Sequence, residues 1–274
     1  MSESDLWNNL HGGGSRGLLI TVLGEFVQPS GGSVWTQTLV DVLGAFDIQE
    51  KSARQMLSRL NAKGWIEPTR VGRRTRWSLT PWSTNLLGDG AGRIYSFGRQ
   101  QTRWDGRWLV LLASVSDRHR AARYRLSTGL GWAGCGSLGQ GVWLSPWSDR
   151  EGEVRRLLDS LELDQVTLFR AELTDWGDPA ALAARAWDLP ALADRYRKFL
   201  DIPGSPADPI TALTRLVHGW RAFPILDPDL PDELLPAEFP SRRAAEQFVT
   251  ERQRLLPTAW QCWETLEASY GPVP

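Results

Sequence analysis

The 274-residue sequence predicts an α+β fold in three parts, and three observations carry that prediction. Helical periodicity gives way near residue 65 to two short strand-like runs. Apolar strands and amphipathic helical stretches then take turns from 108 to 173, and only helical patterns broken by proline follow residue 204. With 42% hydrophobic and 23% charged residues, the composition is that of a globular chain of about two or three domains. The expected division is a flexible 1–15, an N-terminal winged helix at 16–82, a linker helix at 83–103, a central ferredoxin-like α+β domain at 104–203 and a C-terminal helical domain at 204–274.

Leu18 to Val27 reads as a buried helix stopped by Pro29 and the pair Gly31-Gly32. Ser33 is placed to cap a second helix, in which Val34, Thr38, Leu39, Val42 and Leu43 recur at helical spacing. Asp47 to Glu50 has the form of a capping box, so a third helix is expected from about Ile48 to Gly64. Ala53, Met56, Leu57 and Leu60 line its apolar stripe. Lys51, Gln55 and Ser58 fall opposite, with Ser52, Arg54 and Arg59 on the flanks and Gln49 at the start. That outer face is polar, basic and built of small to medium side chains, as suits a helix in the major groove. A strand at Trp65-Ile66-Glu67, a basic turn through Arg70, Arg73 and Arg74, and a strand from Thr75 to Thr80 complete the order of a winged helix. The basic turn, with Arg76 just beyond it, is then the wing that holds phosphates.

In the central part, strands at Trp108–Val115, Gly141–Leu144 and Val166–Leu173 alternate with helices at Asp117–Leu130 and Glu151–Leu163. Gly134-Cys135-Gly136-Ser137-Leu138-Gly139 fits G-x-G-x-x-G. The dinucleotide fingerprint needs a strand before it and a helix after it, and here the order is reversed, so the segment is read as a turn-forming loop. Cys135 has no neighbouring His or Asn to activate it. The C-terminal part opens after a proline-rich break with a helix at Ile210–Ala222. A proline-rich acidic loop follows at Phe223–Pro236, then helices at Ser241–Leu255 and Pro257–Ser269. Arg215, His218, Trp220 and Arg221 cluster on the first helix and its exit, a candidate holder for an anionic, partly aromatic ligand.

Two cysteines and three histidines supply no disulfide framework and no structural metal site, so neither metal nor cofactor is expected. No apolar run approaches 18 residues and the N-terminus lacks the basic and apolar regions of a signal peptide, which gives the expectation of a cytoplasmic protein with no membrane partner. The formal net charge of −1 conceals an asymmetry. Residues 1–125 hold 17 Lys and Arg against 10 Asp and Glu, a sum of +7, and residues 126–274 hold 14 against 22, a sum of −8. Between 51 and 76 eight basic residues face the single acid Glu67. A basic end with helix–turn–strand order points to double-stranded DNA as partner. The competing class is an enzyme on nucleic acid or a CoA thioester, with Asp117 as a metal-binding acid, but no set of carboxylates at ligand spacing accompanies it.

Six stretches together resemble the PaaX-type family of bacterial transcriptional regulators. They are LLITVLGEFVQPSGGSVW at 18–35, SARQMLSRLNAKGWIE at 52–67, VGRRTRWSLT at 71–80, WDGRW at 104–108, GVWLSP at 141–146 and LVHGWRAFPILDPDLPDELLP at 216–236. The resemblance spans nearly the whole chain in order. It implies a homodimeric, non-enzymatic repressor of an aromatic-acid, phenylacetate-like catabolic operon, released from operator DNA by an acyl-CoA such as phenylacetyl-CoA or by a related aromatic acid.

Overall fold

The computed structural model describes residues 14–98, 103–113, 120–161, 163, 165–202 and 208–271. They fall into two compact units, one drawn from Met1–Ser96, Phe199–Ala222 and Ala245–Pro274, the other from Phe97–Lys198 and Phe223–Ala244.

The first unit begins with α1 (Ser15–Val22), which runs on as a π-helical turn over Leu23–Val27. Leu19, Leu23 and Phe26 are wholly buried because this segment is apolar on nearly every side. There follow β1 (Ser33–Trp35), α2 (Thr36–Gly44), α3 (Glu50–Ala62), β2 (Ile66–Val71), β3 (Arg74–Leu79) and α4 (Pro81–Ser96). From later in the sequence come α9 (Pro209–Trp220) and, from Ala245 onward, α11 (Ser241–Ser269). The expected stripe holds on α3: Ala53, Leu57 and Leu60 are buried, and Gly64, at φ 71°, lets the chain leave the helix in a left-handed conformation.

Two caps differ from expectation. Ser33 does not cap a helix; it begins β1, which pairs antiparallel with β3 in the register Ser33↔Ser78, Val34↔Trp77 and Trp35↔Arg76. A β-branched and an aromatic residue side by side favour the strand, and pairing buries both Val34 and Trp35. Extended Trp35 then occupies the N-cap of α2. The third helix starts at Glu50 rather than Ile48, with Gln49 at its N-cap and no side-chain cap, because Ile48 is buried and Asp47 takes a positive φ of 60°. The hairpin is longer and its turn tighter than the sequence suggested. β2 reaches Val71, pairs with Arg74, and leaves only Gly72-Arg73 in the turn, with Gly72 at φ 60°. The result is helix, strand, helix, helix, strand, strand with a sheet in the order β1-β3-β2, the arrangement of a winged helix.

The second unit contains β4 (Arg107–Ala113), α5 (Arg120–Trp132), β5 (Gly136–Gly139), β6 (Val142–Ser145), α6 (Glu151–Leu161) and β7 (Val166–Glu172). Its four-stranded sheet runs β5-β6-β4-β7, the β-α-β-β-α-β order of a ferredoxin-like fold. Period-two alternation sends Leu109, Leu111 and Ala113 against Leu126, Leu130, Val154 and Leu158. Trp108 on the other face packs with Leu144, Ala183, Leu189, Leu230 and Leu234, contributed partly by α7 (Pro179–Ala186), α8 (Leu189–Leu200) and the turn after α10 (Phe223–Leu226).

The glycine-rich segment is not a loop but supplies β5. A Cβ on Gly136 would lie 2.5 Å from the Trp187 ring, so this glycine answers to close packing, whereas Gly134 answers to its left-handed backbone, at φ 73°. Cys135 is buried and its thiol is pushed up to about 12 by burial, which leaves it unreactive. The final two expected helices are one. α11 runs 29 residues straight through Pro257, where burial of Leu255, Ala259 and Trp263 on one side outweighs the single missing donor.

Candidate nucleic-acid interface

Gln49, Lys51, Ser52, Arg54, Gln55, Ser58 and Arg59 are all exposed on α3, since burial of Ala53, Leu57 and Leu60 turns the other side of the helix outward. Glu50, Lys51, Arg54, Gln55 and Ser58 line a shallow depression. Within it Arg54 is held: its Nε donates to Glu50 Oε1 at 2.8 Å and its Nη2 to Gln37 Oε1 at 3.3 Å. Gln37 Nε2 donates in turn to Asp41 Oδ1 at 2.9 Å, and Ser58 Oγ donates to the Arg54 carbonyl at 3.2 Å. An exposed pair such as Arg54–Glu50 contributes at most about 1 kcal/mol, so it orients Arg54 without locking it away from a competing anion.

The four hairpin arginines divide into two kinds. Arg70 and Arg73 are exposed, at the end of β2 and in the turn. Arg74 is also exposed, but it donates from Nη1 to the carbonyls of Tyr270 and Gly271, at 2.7 and 3.0 Å, satisfying the open end of α11. Arg76 stands over the Trp35 ring at 5.3 Å and within 3.9 Å of Glu267. Glu267 also accepts from the Trp35 amide (3.2 Å) and from Thr38 Oγ1 (2.6 Å), and the Tyr270 hydroxyl donates to Asp41. The last turns of α11 thus fasten the hairpin, β1 and α2 together. Thr36 adds to this by donating to the Thr75 carbonyl at 2.9 Å and accepting from Trp77 Nε1 at 3.0 Å. Sequence reasoning had no access to the partners on α11, because Glu267 and Tyr270 lie between 191 and 232 residues from what they hold.

The candidate ligand residues do not stay together. Arg215 is exposed and stands over the Phe46 ring at 5.3 Å. Trp220 is buried, donates from Nε1 to the Ile94 carbonyl at 3.0 Å and stacks on Phe248 at 4.7 Å, which makes it part of the core. His218 and Arg221 share another side of α9. Burial and then the charge of Arg221 push His218 down to about 4, and burial pushes Arg221 down to about 10. Asp117 lies outside the described residues, and among the described residues no group of three or more His, Cys, Asp and Glu could hold a metal ion. Nor, among them, is any helix long and apolar enough to cross a membrane.

Comparison with known proteins covers almost the entire chain. Residues 15–81 match the family described as PaaX-like protein, 101–183 the PaaX protein central Cas2-like domain, and 187–265 the PaaX-like protein C-terminal domain. The chain is 30% identical over 275 residues to the transcriptional repressor PaaX of Escherichia coli (strain K12), covering 94% of this chain and 85% of that protein. A solved structure of an uncharacterised protein from Mycobacterium tuberculosis shares the fold, with a TM-score of 0.58, 24% identity and coverage of 89% of this chain and 98% of its own.

Proposed function

The chain belongs to the PaaX family, and from that premise we propose that it is a DNA-binding transcriptional repressor of an aromatic-acid, phenylacetate-like catabolic operon. The observation that carries the reading is the outward face of α3. Lys51, Gln55 and Ser58 form an exposed stripe on a helix whose other side is buried, beside a hairpin whose turn exposes Arg70 and Arg73. In this reading α3 enters the major groove, where Gln55, Ser58 and the oriented Arg54 meet base edges. Gln49, Lys51, Ser52 and Arg59 fix its depth, and Arg70 and Arg73 hold phosphates. Arg74 and Arg76 act one step back, by setting the angle of the hairpin. The protein works in the cytoplasm, as a homodimer reading two half-sites. An acyl-CoA or aromatic acid binds the DNA-free conformation better and so releases the operator.

The test is a footprint on the DNA upstream of the gene, followed by binding titrations across a salt series. Changing Arg70 and Arg73 to Ala is expected to lower affinity for all sequences and to reduce the slope of log K against log salt by about 1 for each phosphate no longer neutralised. Changing Gln55 to Ala is expected to relax sequence preference while leaving that slope in place. Unaltered binding by both variants overturns the assignment.

A further inference from the structure

Two side chains of α9 and that of its C-cap residue, Arg221, form a line that the assignment of α3 and the hairpin does not use. At 100° per residue Thr214, His218 and Arg221 fall within an arc of about 60°, with Arg215 and Trp220 outside it. The line faces α1, because His218 Nδ1 lies 3.1 Å from Thr21 Oγ1. Thr21 Oγ1 also donates to the Gly17 carbonyl at 2.9 Å, and His218 hydrogen-bonds to the same Gly17 backbone, so the ring is held against α1 through Thr21 and Gly17 together. Arg221 is only 5% exposed, one terminal nitrogen of its guanidinium is buried with no hydrogen-bond partner, and no described carboxylate forms an ion pair with it. One turn before His218, the hydroxyl of Thr214 is fully buried and likewise has no partner. Buried polar groups are almost always satisfied, and a buried cation is among the costliest groups to leave without a counter-charge. Here a cation and a hydroxyl donor are left open on the same side of one helix, with no acid among the described residues to serve them.

We propose that the side of α9 that faces α1 is a binding site for a small oxyanion, a carboxylate or a phosphate group, with Arg221 as its charge partner and Thr214 as its second donor. His218 is a positioning residue: neutral and tied to Thr21, it keeps the α9 line in register with α1 and leaves the guanidinium as the local positive charge. A planar guanidinium suits bidentate capture of either oxyanion. A free aromatic acid would present the carboxylate, and a CoA thioester would present its phosphates. The regulatory meaning rests on the repressor reading: α1 opens the winged-helix unit, so a ligand held from α9 against α1 changes the free energy of the segment that carries α2 and α3.

The experiment uses the full chain without DNA. Thermal unfolding is followed in sodium phosphate, phenylacetate, CoA and phenylacetyl-CoA, each against sodium chloride at equal ionic strength, for the wild type and for Arg221→Met, Arg221→Lys and Thr214→Val. A site that binds only the folded protein raises the midpoint in a saturable way. The wild type is expected to respond to at least one oxyanion. Response to phosphate and CoA identifies a phosphate source, whereas response to phenylacetate alone identifies a free carboxylate. Without ligand, Arg221→Met is expected to melt no lower than the wild type, since it removes an uncompensated buried charge, and to lose the saturable shift. Arg221→Lys is expected to need at least tenfold more ligand, and Thr214→Val to weaken binding less. A response no greater than that to chloride, or one that Arg221→Met retains in full, overturns the proposal. If Arg221→Met does not fold, unchanged ligand affinity in Arg221→Lys and Thr214→Val together overturns it as well. A footprint that survives without any anion response refutes the site alone, and an anion response without a footprint refutes the repressor reading alone.

Discussion

Arginines adjacent in sequence have separate fates in this protein, and the difference is set by what the fold brings to each. Arg73 sits in a two-residue turn and meets solvent, while Arg74, one residue later, spends its guanidinium on the carbonyls of Tyr270 and Gly271. Arg74→Ala is therefore expected to cost about 1–2 kcal/mol of stability in urea unfolding, whereas Arg73→Ala costs less than about 0.5 kcal/mol. The composition of the hairpin as basic was legible in the sequence; the division of labour was not, because both residues carry the same charge and their partners are remote. Titration of single groups is equally local. Burial pushes the Asp227 carboxyl, which accepts from the Tyr196 hydroxyl, up to about 6. Between pH 4 and 6 the folded state holds that proton and the unfolded chain does not, so this contribution is full below about pH 4 and lost as pH rises through 6. Asp227→Asn is expected to remove the loss: the difference in urea midpoint, variant minus wild type, grows from pH 4 to pH 7. His218, pushed down to about 4, works with the opposite sign and destabilises the fold as pH falls from 6.5 toward 4. His218→Gln isolates that effect.

Secondary structure was legible on α3, where one face is buried and the other solvated so that period and burial agree, and on β4, whose continuous apolar run is packed on both faces. It failed where short polar-looking segments are recruited by long-range pairing. Ser33 has every local mark of a helix cap, yet three residues of strand register with β3 outweigh it. Gly136 to Gly139 reads as a turn, yet it completes the ferredoxin-like sheet because only glycine lets Trp187 approach. Gly136→Ala is expected to be strongly destabilising, by about 2–3 kcal/mol, with the aromatic near-ultraviolet signal reporting displacement of Trp187. The end of α11 is the element whose role was least visible. Glu267 joins the Trp35 amide, Thr38 and Arg76, so Glu267→Gln is expected to speed hydrogen exchange in β1 and β3 by about tenfold while exchange in β4 is unchanged. Equal exchange in both proteins would show that α11 does not brace the hairpin.

Over the whole molecule, a net charge of −1 divides into +7 for residues 1–125 and −8 for 126–274. Attraction to a polyanion is thereby confined to the N-terminal part, and the acidic remainder opposes indiscriminate binding along DNA. Family membership, the winged-helix order and the oriented face of α3 converge on one account, in which helix and hairpin read an operator and the rest of the chain tunes them. The most direct measurement of that claim is affinity for the upstream DNA of the gene over a salt series, for the wild type and for a variant carrying Lys51→Ala, Gln55→Ala, Arg70→Ala and Arg73→Ala. The account predicts a protected site and a steep salt slope for the wild type. It predicts a loss of protection in the variant, with the slope reduced by about 2 to 3 and the melting temperature unchanged. Equal protection and equal slope in the two proteins would contradict it.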